Sequence, residues 1–196
     1  MNSDNVGLPD KISLIDHIDY IEIVRRWLSW HVVLLGVFAL LWDAFLLSWY
    51  SIAFSHPNPL TAMLYIPILH LIVGGSVTYA ALAGWLNRTR ILVSRDDLAI
   101  RHAPLPWWGG VEMKSADVQQ LYTKEVVSYT RNGRIVRYQL RVITRDRRDL
   151  KLLSGLENSE QAVYIEQAIE KYLHIIDVPV AGELAGRERN TPPSAF

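Results

Sequence analysis

Residues 27–54, and again 60–86, run through apolar positions with almost no polar interruption. At about 1.5 Å per helical residue, either run is long enough to cross a hydrocarbon layer of about 30 Å. The connector Ser55-His56-Pro57-Asn58-Pro59 carries no formal charge and two prolines, which predicts a tight loop between antiparallel helices. Aromatic residues stand where the interfaces of such a hairpin fall: Trp27 and Trp30 at the start, Trp49 and Tyr50 at the far end, Trp85 at the exit. Ser76, Ala80 and Gly84 recur every four residues and predict a small-residue face for close helix approach, with Gly36 and Ala39 serving the first run. Pro67 is expected to kink the second span, because it removes one bond of the helix ladder.

After residue 90 the period shortens. Arg90-Ile91-Leu92-Val93 and Leu98-Ala99-Ile100-Arg101 flank the turn-like Ser94-Arg95-Asp96-Asp97 and predict a β-hairpin. A longer hairpin is expected from residues 126–131 and 134–144, turning at Asn132-Gly133, since both residues tolerate positive φ. Within it Val136, Tyr138, Leu140 and Val142 alternate with Arg137, Gln139 and Arg141, placing the two sets on opposite faces. Residues 145–148 then read as a turn into a strand at 150–153. Asn158 with Gln161 resembles a capping box, and Ala162, Ile165, Ile169, Tyr172, Leu173 and Ile176 form an apolar stripe at helical spacing. At the other end, residues 20–26 fit either a strand joining the same sheet or an interfacial helix. The expected fold class is α+β: a two-helix transmembrane hairpin, then an antiparallel β domain closed by a C-terminal amphipathic helix, an order similar to the pleckstrin-homology fold. The expected divisions are 1–26, a cytoplasmic N-terminal segment; 27–86, the hairpin; 87–178, the β domain; and 179–196, an extended tail.

Charge sharpens this division. The 196 residues hold 20 basic and 20 acidic side chains, but residues 27–86 carry a single charge, Asp43. Residues 87–151 carry 14 basic and 7 acidic groups, and residues 152–196 carry 3 and 7. Sixty residues with one charge exclude a wholly water-soluble chain. Arg25 and Arg26 before the first span, with Arg88 and Arg90 after the second, place both termini in the cytoplasm and the hairpin in the inner membrane by the positive-inside rule. Cysteine is absent, which excludes disulfide frameworks, thiolate metal sites, iron–sulfur clusters and cysteine nucleophiles.

Several stretches carry a resemblance: Glu22-Ile23-Val24-Arg25-Arg26-Trp27, Leu41-Trp42-Asp43, Leu69-His70, Asn87-Arg88-Thr89, Pro104-Leu105-Pro106-Trp107, Leu152-Leu153-Ser154-Gly155-Leu156 and Ile165-Glu166-Gln167-Ala168-Ile169-Glu170. Over about residues 20–185 the chain resembles a group of uncharacterised bacterial two-span membrane proteins with a pleckstrin-homology-like cytoplasmic domain. The resemblance implies topology and fold, and no activity.

Candidate chemistry is sparse. No phosphate-binding glycine loop, paired-histidine metalloprotease motif or nucleophile elbow is present. His17 lies between Asp16 and Asp19, a spacing that suits a solvated acidic face better than one ion. No catalytic, cofactor or metal residues are assigned and no cofactor is expected; a lone histidine in a span, His31 or His70, is more often structural than a pigment ligand. Eight basic residues crowd positions 131–151, and Arg137, Arg141, Arg145, Arg147 and Arg148, with Trp107 and Trp108, are candidates for contact with anionic lipid of the cytoplasmic leaflet or with a partner. Counting from the loop puts Asp43 and His70 at one depth, so the pair is expected to bond and staple the hairpin. These features point to a non-catalytic accessory or scaffold subunit among other membrane protein subunits, an electron-transport or photosynthetic complex being a natural host. The alternative is a stand-alone module that binds anionic headgroups through residues 131–151. Nucleic acid is not expected as a partner.

Overall fold

A computed structural model describes residues 8–55, 65, 67–131, 133–176, 178, 180 and 182–184. The order of elements is β1 (Ile12–Asp16), β2 (Tyr20–Arg26), α1 (Trp30–Ser55), α2 (Ile68–Leu86), β3 (Arg88–Ser94), β4 (Asp97–Ala103), β5 (Val111–Lys114), a 3-10 turn (Ser115–Asp117), β6 (Val118–Thr130), β7 (Gly133–Thr144), β8 (Asp149–Leu156) and α3 (Ser159–Leu173). The class is α+β, with a helical pair and antiparallel sheets. By contacts the chain divides into two units: 1–25, 90–101 and 108–196 form a β unit, while 26–89 and 102–107 form a hairpin unit.

The β unit holds strands in the orders β1-β2-β3-β4-β5 and β6-β7-β8. The helices are thus an insertion between two neighbouring strands, β2 and β3. Residues 20–26 form the strand of the two expected alternatives, and its β-branched Ile23 and Val24 are buried. The core gathers inward-facing positions from every layer: Ile23, Ile91 and Leu98 from one sheet, Leu121 and Leu140 from the other, and Ile165 and Ile169 from α3. Their period-two and helical spacings are what bring them to one side.

Local details differ from the sequence expectation in four places. The turn between β6 and β7 falls one residue earlier than expected: Gly133 already pairs with Thr130 and accepts its hydroxyl at 3.0 Å, at a φ of +131° that glycine tolerates. Asn132 itself lies outside the described residues. The capping box does not form. Asn158 occupies the N-cap without a side-chain bond, and Gln161 instead donates to Asp10 O at 2.8 Å, tying α3 to the start of β1. Ile176 leaves the apolar stripe because α3 ends at His174, whose φ of +55° turns the chain out and leaves Ile176 82% exposed. Pro67 stands at the N-cap of α2 rather than inside it, and residues 60–64 and 66, on the far side of the expected kink, lie outside the described residues. The loop from His56 to Pro59 and most of the 179–196 tail lie outside the described residues.

In the hairpin unit α1 has 26 residues and α2 has 19, lengths of about 39 and 28 Å at 1.5 Å per residue. Both are long and apolar enough to cross a membrane. Small residues face inward: Ala39 and Ala53 on α1, and Gly74, Ala81, Ala83 and Gly84 on α2. Of the small-residue face expected on α2, Gly84 faces the partner helix, whereas Ser76 is exposed and returns its hydroxyl to Ile72 O at 2.7 Å.

Candidate functional site

The hairpin register follows from its tightest contacts. A Cβ built on Gly74 would lie 2.9 Å from Trp42 Cδ1, and one on Gly84 would lie 2.7 Å from Val32 Cγ1. Gly36 packs under the Trp85 indole, whose Nε1 donates to Val32 O at 3.4 Å. This register brings Thr78 level with Asp43, and the Thr78 hydroxyl donates to Asp43 Oδ2 at 2.8 Å. The expected Asp43–His70 staple is therefore corrected. Counting from the loop assumed that the two spans start level, whereas packing of Trp42 against Gly74 slides the helices by more than a turn. His70 stacks on Trp42 with ring centroids 5.7 Å apart, and its backbone oxygen accepts Trp42 Nε1 at 3.2 Å. His70 Nδ1 is buried without a hydrogen-bond partner. His31 lies against Trp30, ring centroids 3.8 Å apart.

A second constellation closes the base of the hairpin, and sequence reasoning saw only its parts. Asn87, 1% exposed, clamps the loop after β4 with both ends of its amide: Nδ2 donates to Leu105 O at 3.0 Å, and Oδ1 accepts Leu105 N at 2.7 Å. Tyr79 donates to Pro106 O at 2.5 Å, and its ring lies parallel to Trp107 at 6.1 Å. Trp27 meets Trp107 edge-on at 5.5 Å and donates to the buried Thr89 hydroxyl at 2.7 Å. Thr89 Oγ1 in turn lies 3.1 Å from His102 Nδ1. Three of the stretches that carry the resemblance, those with Trp27, with Asn87 and Thr89, and with Pro104 to Trp107, thus converge. Of the two candidate indoles Trp107 and Trp108, Trp107 enters this cluster, while Trp108 is 79% exposed.

The basic residues are dispersed from the turn before β7, along β7 and the turn that follows it, into β8. Arg134 pairs with Glu125 at 2.7 Å, Arg141 with Asp149 at 2.9 Å, Arg148 with Asp146, and Arg137 lies 3.9 Å from Glu157. The hydrogen bond from Arg141 holds the Asp149 carboxyl below the usual carboxylate range, and Asp149 in return raises Arg141. Burial pushes the Tyr122 hydroxyl up, as does its own bond to Asp149. Asp146 is held low by the Thr144 hydroxyl and then by Arg148. Carboxylates on neighbouring strands and in the same turn therefore absorb much of the positive charge that the linear sequence displays. Arg131, Arg145, Arg147 and Lys151 are exposed. His17 stacks on Tyr20 and lies 3.9 Å from Glu22. Among the described residues no group of three His, Asp or Glu side chains is placed to hold a metal ion.

No protein-family model matches the chain, and no curated protein matches it.

Proposed function

We propose that the chain is a non-catalytic integral membrane protein, an accessory or scaffold subunit whose hairpin lies in the inner membrane among other membrane protein subunits. Its β unit, read as pleckstrin-homology-like from strands followed by a closing helix, holds a partner on the cytoplasmic side. One observation carries the reading: the large apolar side chains of both helices point outward, with Leu40 72%, Leu47 74% and Phe54 70% exposed. A soluble core helix hides such residues, and patches of this extent call for lipid or protein. The single charge of the spans is bonded to Thr78, which lowers the cost of about 2.5–3.5 kcal/mol that a central carboxylate carries.

The test is extraction and topology. The chain should resist alkaline carbonate and enter detergent, carrying stoichiometric membrane subunits identified by mass spectrometry. A reporter after Phe196 should be active in the cytoplasm, and one inserted at Asn58 outside it. Release by carbonate defeats the membrane reading; purification alone at native expression defeats the scaffold role. The second reading, electrostatic docking to anionic lipid, rests on exposed Arg145 and Arg147 in the turn after β7. Binding to anionic vesicles that ignores salt and survives their joint replacement by Gln would end it.

A further inference from the structure

Outside the basic turn, three cationic side chains from separate parts of the β unit gather near one carboxylate. Lys11 Nζ donates to Glu157 Oε2 at 3.2 Å, and Arg137 Nη1 lies 3.9 Å from Glu157 Oε1. Arg25 joins them: its Nη2 donates to Gly155 O at 3.0 Å, and its charge is influenced by both Glu157 and Arg137. Lys11 and Arg137 thus share a single carboxylate and Arg25, among the described residues, pairs with none, where Arg134, Arg141 and Arg148 each have one of their own. Among the described residues no carboxylate other than Glu157 lies within ion-pair distance of Lys11 or Arg137, and none lies within that distance of Arg25.

The surroundings register the imbalance. Burial lowers the Arg25 pKa; Glu157 opposes that and Arg137 adds to it. Burial would push the Glu157 carboxyl up, but Lys11, Arg137 and Arg25 outweigh it and hold it low. Arg25 Nε is buried with no hydrogen-bond partner, a cost that native folds rarely leave without a reason. Lys11 and Arg137 remain open to an incoming group, their side chains 34% and 43% exposed.

We infer that Lys11, Arg25 and Arg137 form a binding site for a phosphate-bearing anion, with Glu157 as its built-in competitor. Phosphate oxygens suit the site because a guanidinium fork and an ammonium group both donate charge-assisted bonds to them. Arg137 and Lys11 make the contacts, and Arg25 supplies charge from behind. The site goes beyond the scaffold role, since it needs no partner subunit. Its ligand is either a phospholipid headgroup or a soluble phosphate.

The full chain in neutral detergent is titrated calorimetrically with dioctanoyl phosphatidic acid and, separately, with inorganic phosphate. Saturable binding of at least one probe is expected: the lipid alone assigns the headgroup, and inorganic phosphate binding equally well assigns a solute. Arg25→Gln with Arg137→Gln should weaken it about tenfold or more, the loss of one or more charge-assisted contacts. Glu157→Gln should tighten it about tenfold by removing the competitor, a gain that damaged folding does not imitate. Arg145→Gln with Arg147→Gln should leave it unchanged. No saturable binding of either probe at millimolar concentration, a Glu157→Gln variant that binds no tighter, or a dependence on Arg145 and Arg147 instead would overturn the site.

Discussion

The two units of this protein spend similar apolar residues in opposite ways. In the β unit Ile23, Ile91, Leu140 and Ile165 are fully buried and most charges lie outside, the buried Glu166 and Glu170 being hydrogen-bonded by Thr123 and Gln120. In the hairpin the small residues are inside, Ala53 and Ala83 at 0% exposure, while Leu40, Leu47 and Phe54 face out. Water drives the first arrangement, because burying apolar area is what stabilises a core in water. Between helices in lipid, the environment proposed for the hairpin, that drive is absent and close approach of small residues decides the packing. The comparison teaches that hydrophobicity marks which residues leave water, and the surrounding solvent decides where they go.

The largest test of this contrast is a pair of truncations. Ile165→Ala, at a fully buried position of α3, should cost about 2–5 kcal/mol in denaturant unfolding of the detergent-solubilised chain. Leu40→Ala on the outer face of α1 should change stability by less than about 0.5 kcal/mol. Equal costs would mean that the hairpin's outer face is a hidden core.

Two glycines one turn or more apart sharpen the hairpin side. Gly84→Ala drives a Cβ into Val32 and should destabilise by about 1–3 kcal/mol, read as loss of cross-linking between cysteines placed on the two helices. Gly75, with nothing within 4 Å of a built Cβ, should accept alanine with a gain of up to about 1 kcal/mol. A reversed order would displace the register that joins Thr78 to Asp43.

That bond gives a smaller effect. Thr78→Val keeps shape and removes the donor to Asp43, and should cost about 1–2 kcal/mol in thermal unfolding, whereas His70→Phe should leave the Asp43 environment unaltered. If His70→Phe costs more through Asp43, the pairing belongs to His70 after all.

The smallest expected effect is on the β unit's acid limb. Asp149 is bonded by Arg141 and Tyr122, and its folded carboxyl lies below the usual range. A depressed carboxyl contributes stability above its unfolded pKa and loses it as pH falls through the folded value. Asp149→Asn should therefore flatten the fall in the urea midpoint between roughly pH 5 and 2, with little change of slope near pH 7. A steeper acid limb in the variant would contradict the sign.

Much of the fold was legible because its elements announce themselves by period. The hairpin of β3 and β4, the run of β7 and the α3 stripe through Ile169 all followed from spacing. β1 and β5 were missed, since β1 buries only Ile12 and shows no alternation, while β5 alternates over only four residues, Val111 and Met113 against Glu112 and Lys114, too short a run to stand out. The first half of β6 was missed for the opposite reason: Leu121, Tyr122 and Thr123 are consecutively buried, and a continuous run carries no period. At the candidate sites the residue types were visible and their partners were not. Glu125 and Asp149 lie only 9 and 8 residues from the arginines they neutralise but on neighbouring strands, and the Asn87 clamp joins residues 18 apart through backbone atoms that no side-chain pattern displays.

What the sequence determined by itself is the part governed by local spacing and by transfer from water: two apolar helices, strands with their inward faces, one charge held among apolar residues, and an excess of arginine after residue 130. Tertiary structure decided which groups meet. It inserted the hairpin between neighbouring strands, slid one helix along the other until Gly74 fitted Trp42 and Asp43 met Thr78, and set Lys11 and Arg137 on Glu157 with Arg25 on the adjacent Gly155 carbonyl. Periodicity fixes the face on which a side chain lies, whereas its partner depends on the register between elements. That register is set by close packing at a few small residues, a sum over the whole contact that no single segment carries.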